Sequence, residues 1–141
     1  MGVLTCALLS GCSVAVDVTA PTDGPPECRA LLAAVPGRVD GQEQRPVDPE
    51  NALAAAWGDP AIVLRCGVAE PEALSPSSVC AEVNGIGWFP RRGQDSFTFT
   101  TIGRTTSVQV EVPYDYEPAA DALVDVAAAV RRTVPEILPC V

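Results

Sequence analysis

Four cysteines, Cys28, Cys66, Cys80 and Cys140, are spread along the body of this 141-residue chain, and no two of them stand in a CxxC spacing. Zinc ligands come in short-spaced pairs, so this distribution disfavours a metal site and suits disulfides that tie distant segments together. Such bonds persist in an oxidising compartment, so the opening of the chain should carry an export signal. Residues Met1 to Val16 are almost wholly apolar, and Asp17 ends the run short of the ~20 residues that a membrane-spanning helix needs. The run reads as the hydrophobic region of a signal peptide.

Within it, Leu9-Ser10-Gly11-Cys12 resembles the bacterial lipobox, an apolar residue and two small ones before a Cys whose thiol takes a diacylglycerol. Cleavage before Cys12 would leave a lipidated N-terminus. Cys6 fits less well, because bulkier Thr5 precedes it. No Arg or Lys occurs before Arg29, so the positive start of a signal peptide is missing and the true start is expected upstream. The expected organisation is therefore a signal peptide over 1–11, a lipidated Cys12 and flexible tether over 12–26, and a single domain over 27–141. A coil of that length would reach roughly 20 Å, holding the domain off the outer face of the cytoplasmic membrane.

Within the domain, Glu27 to Val35 predicts a helix between Pro25-Pro26 and Pro36-Gly37, with Cys28, Leu31, Leu32 and Val35 on one face. The polar stretch Arg38 to Glu50 reads as loop or edge strand, and Asn51 to Trp57 as a short helical turn. Ala61 to Cys66 alternates as a strand, with Ile62, Leu64 and Cys66 on one side. Two hairpins follow, Val79 to Phe89 about Asn84-Gly85 and Ser96 to Val112 about Gly103-Arg104. A second helix is expected from Pro118 to Val134, acidic early and basic late. The sum is an α+β domain of two layers, with an antiparallel sheet of about four to five strands and two helices on one face.

These faces bear on the cysteines, for which three connectivities are open. Cys28 and Cys66 both lie on buried faces and can meet in the core. Cys80 alternates opposite to Val79, Ala81 and Val83, away from the core, and Cys140 stands in a tail able to fold back. The expected pairs are Cys28 with Cys66 and Cys80 with Cys140.

The segments CRALLAAVPGRVDG, AAAWGDPAIVLRCGV, EVNGIGWF, and the stretch from TTIGRTTSVQVEVP to ADALVDVAAAV resemble an actinobacterial family of exported proteins catalogued as domain of unknown function 3515. The resemblance runs from about Cys28 to Val134. It implies an exported, often lipid-anchored envelope protein in which Cys28 and Cys66 are the recurring pair, and it brings no activity, cofactor or catalytic residue. Cys80 and Cys140 are an addition to that pattern.

Chemistry is sparse. The sequence has no His, which removes imidazole bases, His-assisted nucleophiles and His metal ligands. A net charge of -9, from 18 acidic and 9 basic residues, repels phosphate backbones, so nucleic acid is not an expected partner. Trp57, Arg65 and the triplet Tyr114-Asp115-Tyr116 form the candidate ligand surface, with an aromatic beside a rigid turn, a guanidinium for an anion, and rings for stacking. Asp121 and Asp125 repeat at i, i+4 on the second helix, where acids suit the N-terminal dipole. The expected function is noncatalytic, a lipid-anchored binding or accessory role towards an envelope protein or small-molecule ligand, with no cofactor and no metal. The alternative is an envelope hydrolase acting on glycan or peptide with a carboxylate pair such as Asp115 with Asp121 or Glu82.

Overall fold

A computed structural model of the protein describes residues 14–140, so the expected signal peptide and lipid-bearing Cys12 lie outside the described residues. In chain order the elements are β1 (Val16–Asp17), α1 (Pro26–Ala34), β2 (Arg38–Val39), β3 (Gln42–Arg45), β4 (Val47–Asp48), β5 (Ala54–Trp57), β6 (Ile62–Cys66), β7 (Ala81–Val83), β8 (Ile86–Arg92), β9 (Ser96–Thr101), β10 (Val108–Pro113) and α2 (Ala120–Thr133). A short 3-10 turn, Tyr114–Tyr116, joins β10 to α2.

Eight strands form one sheet in the order β2-β3-β5-β6-β10-β9-β8-β7, antiparallel at every pairing. The α+β class and the antiparallel sheet agree with expectation, but the sheet is wider than four to five strands. The difference lies in 38–57. Asp40-Gly41 takes positive φ at both residues (49° and 73°), the geometry of a two-residue hairpin turn, and so folds β2 onto β3. Ala54–Trp57 is a strand, not a helical turn, and all four of its residues are buried. Alanine favours helix in isolation. Here its small side chain lets two layers close on the same strand.

One layer is made by the helices. Cys28 and Leu31 of α1, and Leu123, Val126 and Val130 of α2, pack with Trp57, Ile62, Leu64, Trp88, Val108 and Val110 in one core. Prolines at the start of α1 and Arg131-Arg132 in the last turn of α2 follow the usual preferences of helix ends. At Asn84-Gly85, φ values of 49° and 82° make the expected β7–β8 hairpin.

The other layer is a surprise of the N-terminal stretch. Residues 14–24, expected to be a flexible tether, lie as a strap along the opposite face of β5 and β6. Val16 and Asp17 pair in parallel with Val47 and Asp48, and Val18 packs with Ala52, Ala54, Ala56 and Val63 in a second, smaller core. Leu53 N–H donates to Pro21 C=O at 2.6 Å. The alternating small apolar residues Val16, Val18 and Ala20 sit on or beside that core; the strand period was present, but its prolines and turn residues masked it.

Both expected disulfides are formed. Cys28–Cys66 joins α1 to β6 with Cα atoms 5.5 Å apart, and both residues are fully buried. Cys80–Cys140 joins the start of β7 to the C-terminal tail with Cα atoms 5.9 Å apart. Gly87 makes room for it, since a Cβ there would lie 2.7 Å from Cys80 Sγ and closer still to Cys140 Sγ. Gly103 does the same for the tail backbone at Leu138, where Ile137 and Leu138 N–H groups both donate to Gly103 C=O, at 2.7 and 3.0 Å.

Register fixes which loops share an end of the sheet. Glu111 stands opposite Val63, Pro113 opposite Ser96, and Arg92 opposite Phe97. The 58–61 turn, the 93–95 turn and the Tyr114–Tyr116 link therefore lie together at one end. Asn84-Gly85, Gly103-Arg104 and the end of α2 lie at the other, where the Arg104 guanidinium donates to the C=O of Val134 (2.7 Å) and of Gly85 (3.4 Å).

Candidate functional site

The five residues of the expected ligand surface do not meet as one. Trp57 is fully buried, pairs with Ile62, and donates its indole N–H to Pro36 C=O at 2.9 Å. It is a core anchor rather than a pocket wall, because inward-facing positions of β5 are all covered by helices. Arg65 points to the opposite face and is spent on structure. Its guanidinium reaches Glu111 Oε2 at 2.8 Å, Gln109 Oε1 at 3.2 Å and Thr19 C=O at 2.9 Å, and so fastens the strap to the sheet.

Tyr114, Asp115 and Tyr116 stay together in their 3-10 turn and bind neighbouring turns. Tyr114 packs edge-on against Phe97 at 4.9 Å between centroids and donates its hydroxyl to Gly93 C=O. The Arg92 guanidinium caps both rings, 5.4 Å from Phe97 and 5.2 Å from Tyr114, a cation–π arrangement. Tyr116 donates to Pro60 C=O at 2.6 Å; burial first, then the charges of Asp115 and Asp59, raises its pKa, so it holds its proton. Asp115 is exposed between the two rings.

Asp121 and Asp125 face the β2–β3 turn. Asp125 Oδ2 accepts the Asp40 N–H at 2.7 Å, and the Asp40 C=O accepts from Gln42 Nε2 at 3.4 Å. The Asp40 carboxyl is held above its ordinary pKa, chiefly by burial and then by Asp121 and Asp125. Among the described residues, no three His, Cys, Asp or Glu side chains converge to hold a metal ion. Glu82, the other partner considered for Asp115, is exposed and sits between Ala81 and Val83 on β7, so alternation turns it to the opposite face from them.

Ala81 and Val83 instead line a concavity that the sequence reading missed. α2 crosses the sheet obliquely, from Asp125 at the β2–β3 turn to Arg131 at the C=O of Asn84, and beside its N-terminus the inner face is left open as a groove of about 720 Å³. Its floor is Phe97 and Phe99, with ring centroids 6.0 Å apart, flanked by Val83 and Pro90. Its far wall is Pro118, Ala119 and Leu123, and Glu117 is the one charged residue in the lining. The alternation Phe97-Thr98-Phe99 was the available signal; it places two aromatics on one side of β9, but only the oblique course of α2 leaves them half-exposed. An apolar trough with a single carboxylate at its rim can hold a hydrophobic group. It offers no positioned nucleophile or acid–base pair.

No curated protein and no solved structure matches the chain. A family model described as protein of unknown function (DUF3515) matches residues 8–138. The match spans the strap, the sheet, both helices and the tail up to Leu138, and on it the chain belongs to the DUF3515 family of proteins of unknown function.

Proposed function

We propose that this protein is an exported, lipid-anchored component of the cell envelope with a noncatalytic binding role, and that the groove between Phe97, Phe99 and the N-terminus of α2 is its binding surface. The observation that carries the reading is the pair of disulfides, Cys28–Cys66 and Cys80–Cys140, which belong in an oxidising compartment. The Leu9-Ser10-Gly11-Cys12 segment supplies the means of export and attachment. A noncatalytic role accords with a chain that lacks His, whose described cysteines are all bonded, and whose groove presents hydrocarbon with one carboxylate at the rim.

The test is complementation of a deletion strain. Cys12→Ser should abolish acylation, read from the mass of the N-terminal peptide, and release the domain from membranes. Phe99→Ser, in a protein that remains folded and anchored, should lose function while Asp115→Asn and Asp121→Asn retain it. Loss of function in a stable, anchored Asp115→Asn or Asp121→Asn variant would favour the hydrolase reading instead.

A further inference from the structure

The strap changes what a lipid at Cys12 would do. A free tether from Cys12 to Pro26 would let the domain roam roughly 20 Å from the bilayer. In the structure the chain is already fixed at Val14, whose C=O accepts from Arg45 Nη2 at 2.9 Å, while Nη1 of the same guanidinium donates to Gly58 C=O at 2.7 Å. Only Ser13 separates Cys12 from Val14, and a fully extended chain covers at most about 7 Å over those two residue steps. The leash is thus short, and it departs beside Gly58, at the end of the sheet that carries the 58–61 and 93–95 turns.

We propose that this end of the sheet rests on the headgroup surface of the bilayer that holds the lipidated Cys12. The inference rests on the acylation of Cys12 proposed above. Two features of the same end suit a headgroup layer. The protein's two tyrosines, Tyr114 and Tyr116, are both there and partly exposed, and amphipathic rings favour the membrane–water interface. Arg91 and Arg92, exposed at the approach to the 93–95 turn, can meet lipid phosphates. The acids Asp59, Asp95, Asp115 and Glu117 offset those guanidinium groups, so the short covalent leash, and not net charge, holds the contact. The apolar groove opens beside the same link, at Glu117 and Pro118.

The test places a photo-crosslinking benzophenone residue in the full chain at Gln94 or Asp115, and in separate variants at Arg132 or Glu136 on the opposite end, all four exposed. Membranes from expressing cells are irradiated and lipid adducts counted by mass spectrometry. Adducts at 94 and 115 should exceed those at 132 and 136 several-fold. Inserting about twelve Gly/Ser residues after Ser13 lengthens the leash to roughly 20 Å and should bring all four positions to the same low level. Acylated protein that labels evenly at both ends, or labelling at 94 and 115 that the insertion leaves unchanged, overturns the orientation while leaving the anchor intact. A Cys12 found without lipid removes the anchor itself and overturns both readings.

Discussion

Replacing each disulfide by a pair of alanines sets two physical effects against each other. Loop closure depends on sequence separation, which is 38 for Cys28–Cys66 and 60 for Cys80–Cys140. On chain entropy alone the bonds contribute about 3.9 and 4.3 kcal/mol, so the tail bond should matter more. Packing reverses the order. Cys28 and Cys66 are fully buried, and each sulfur removed leaves a void worth on the order of 1 kcal/mol, bringing the loss to about 6 kcal/mol. The Cys80–Cys140 bond is partly exposed, and its tail keeps other attachments: Ile137 and Leu138 to Gly103 C=O, and Thr105 N–H to Pro135 C=O. Its loss should therefore stay at or below about 4 kcal/mol. Urea unfolding without reductant, with equal slopes required of all variants, measures both. If Cys80→Ala/Cys140→Ala costs more than Cys28→Ala/Cys66→Ala, burial does not decide the ranking and the reasoning fails.

Other outcomes follow from individual contacts. Gly87→Ala should destabilise the oxidised protein by about 1–3 kcal/mol through overpacking, yet cost little in the Cys80→Ala/Cys140→Ala background; additive losses in a double-mutant cycle would show that the bond does not occupy that space. Trp57→Phe strands Pro36 C=O, whereas the buried Trp88 Nε1 has no hydrogen-bond partner, so Trp57→Phe should cost about 1–3 kcal/mol more than Trp88→Phe, as read by thermal unfolding. Asp40→Asn should stabilise the protein modestly at neutral pH, by less than about 1 kcal/mol at a half-buried site that water still screens. The sign follows from the raised pKa: the folded state holds the Asp40 proton more tightly than the unfolded chain, so this residue's contribution is greatest below pH 3.8 and declines as pH rises through the folded value. The advantage of Asn should accordingly vanish in acid and grow towards neutrality, and a constant difference across that range would refute it.

What the sequence made legible was whatever had a complete local period. The β8 and β10 alternations, Asn84-Gly85, the apolar stripe of α2 and the buried faces of Cys28 and Cys66 each carry their own signal, and the two disulfide pairs could be read from them. The 38–57 stretch carries a weaker signal. Its strands are two to four residues long, too short for a period to emerge, although Asp40-Gly41 was a hairpin signal in plain view. Ala54–Trp57 is strand because layers on both sides require it, a tertiary demand that overrides alanine's preference. The strap was hidden for the same reason, since Val18 is buried only where Ala54, Ala56 and Val63 present a matching surface. The candidate site shows the converse failure. Trp57 and Arg65 looked available because their residue types often bind ligands, but only the sheet register shows both consumed by the fold, and only the oblique course of α2 uncovers Phe97 and Phe99.

The placement of Cys140 against Gly87 also sets an order of events. In a chain that emerges N-terminus first, Cys28 and Cys66 appear early and can pair before the remainder is delivered. Cys80 must wait for Cys140, the last cysteine to appear. The space over Gly87 is filled only when the segment after α2 reaches it, so until then Cys80 stands as an unpaired thiol on the sheet surface. The two bonds thus report different events, Cys28–Cys66 the meeting of α1 with β6, and Cys80–Cys140 the seating of the segment after α2 against β7 and β8.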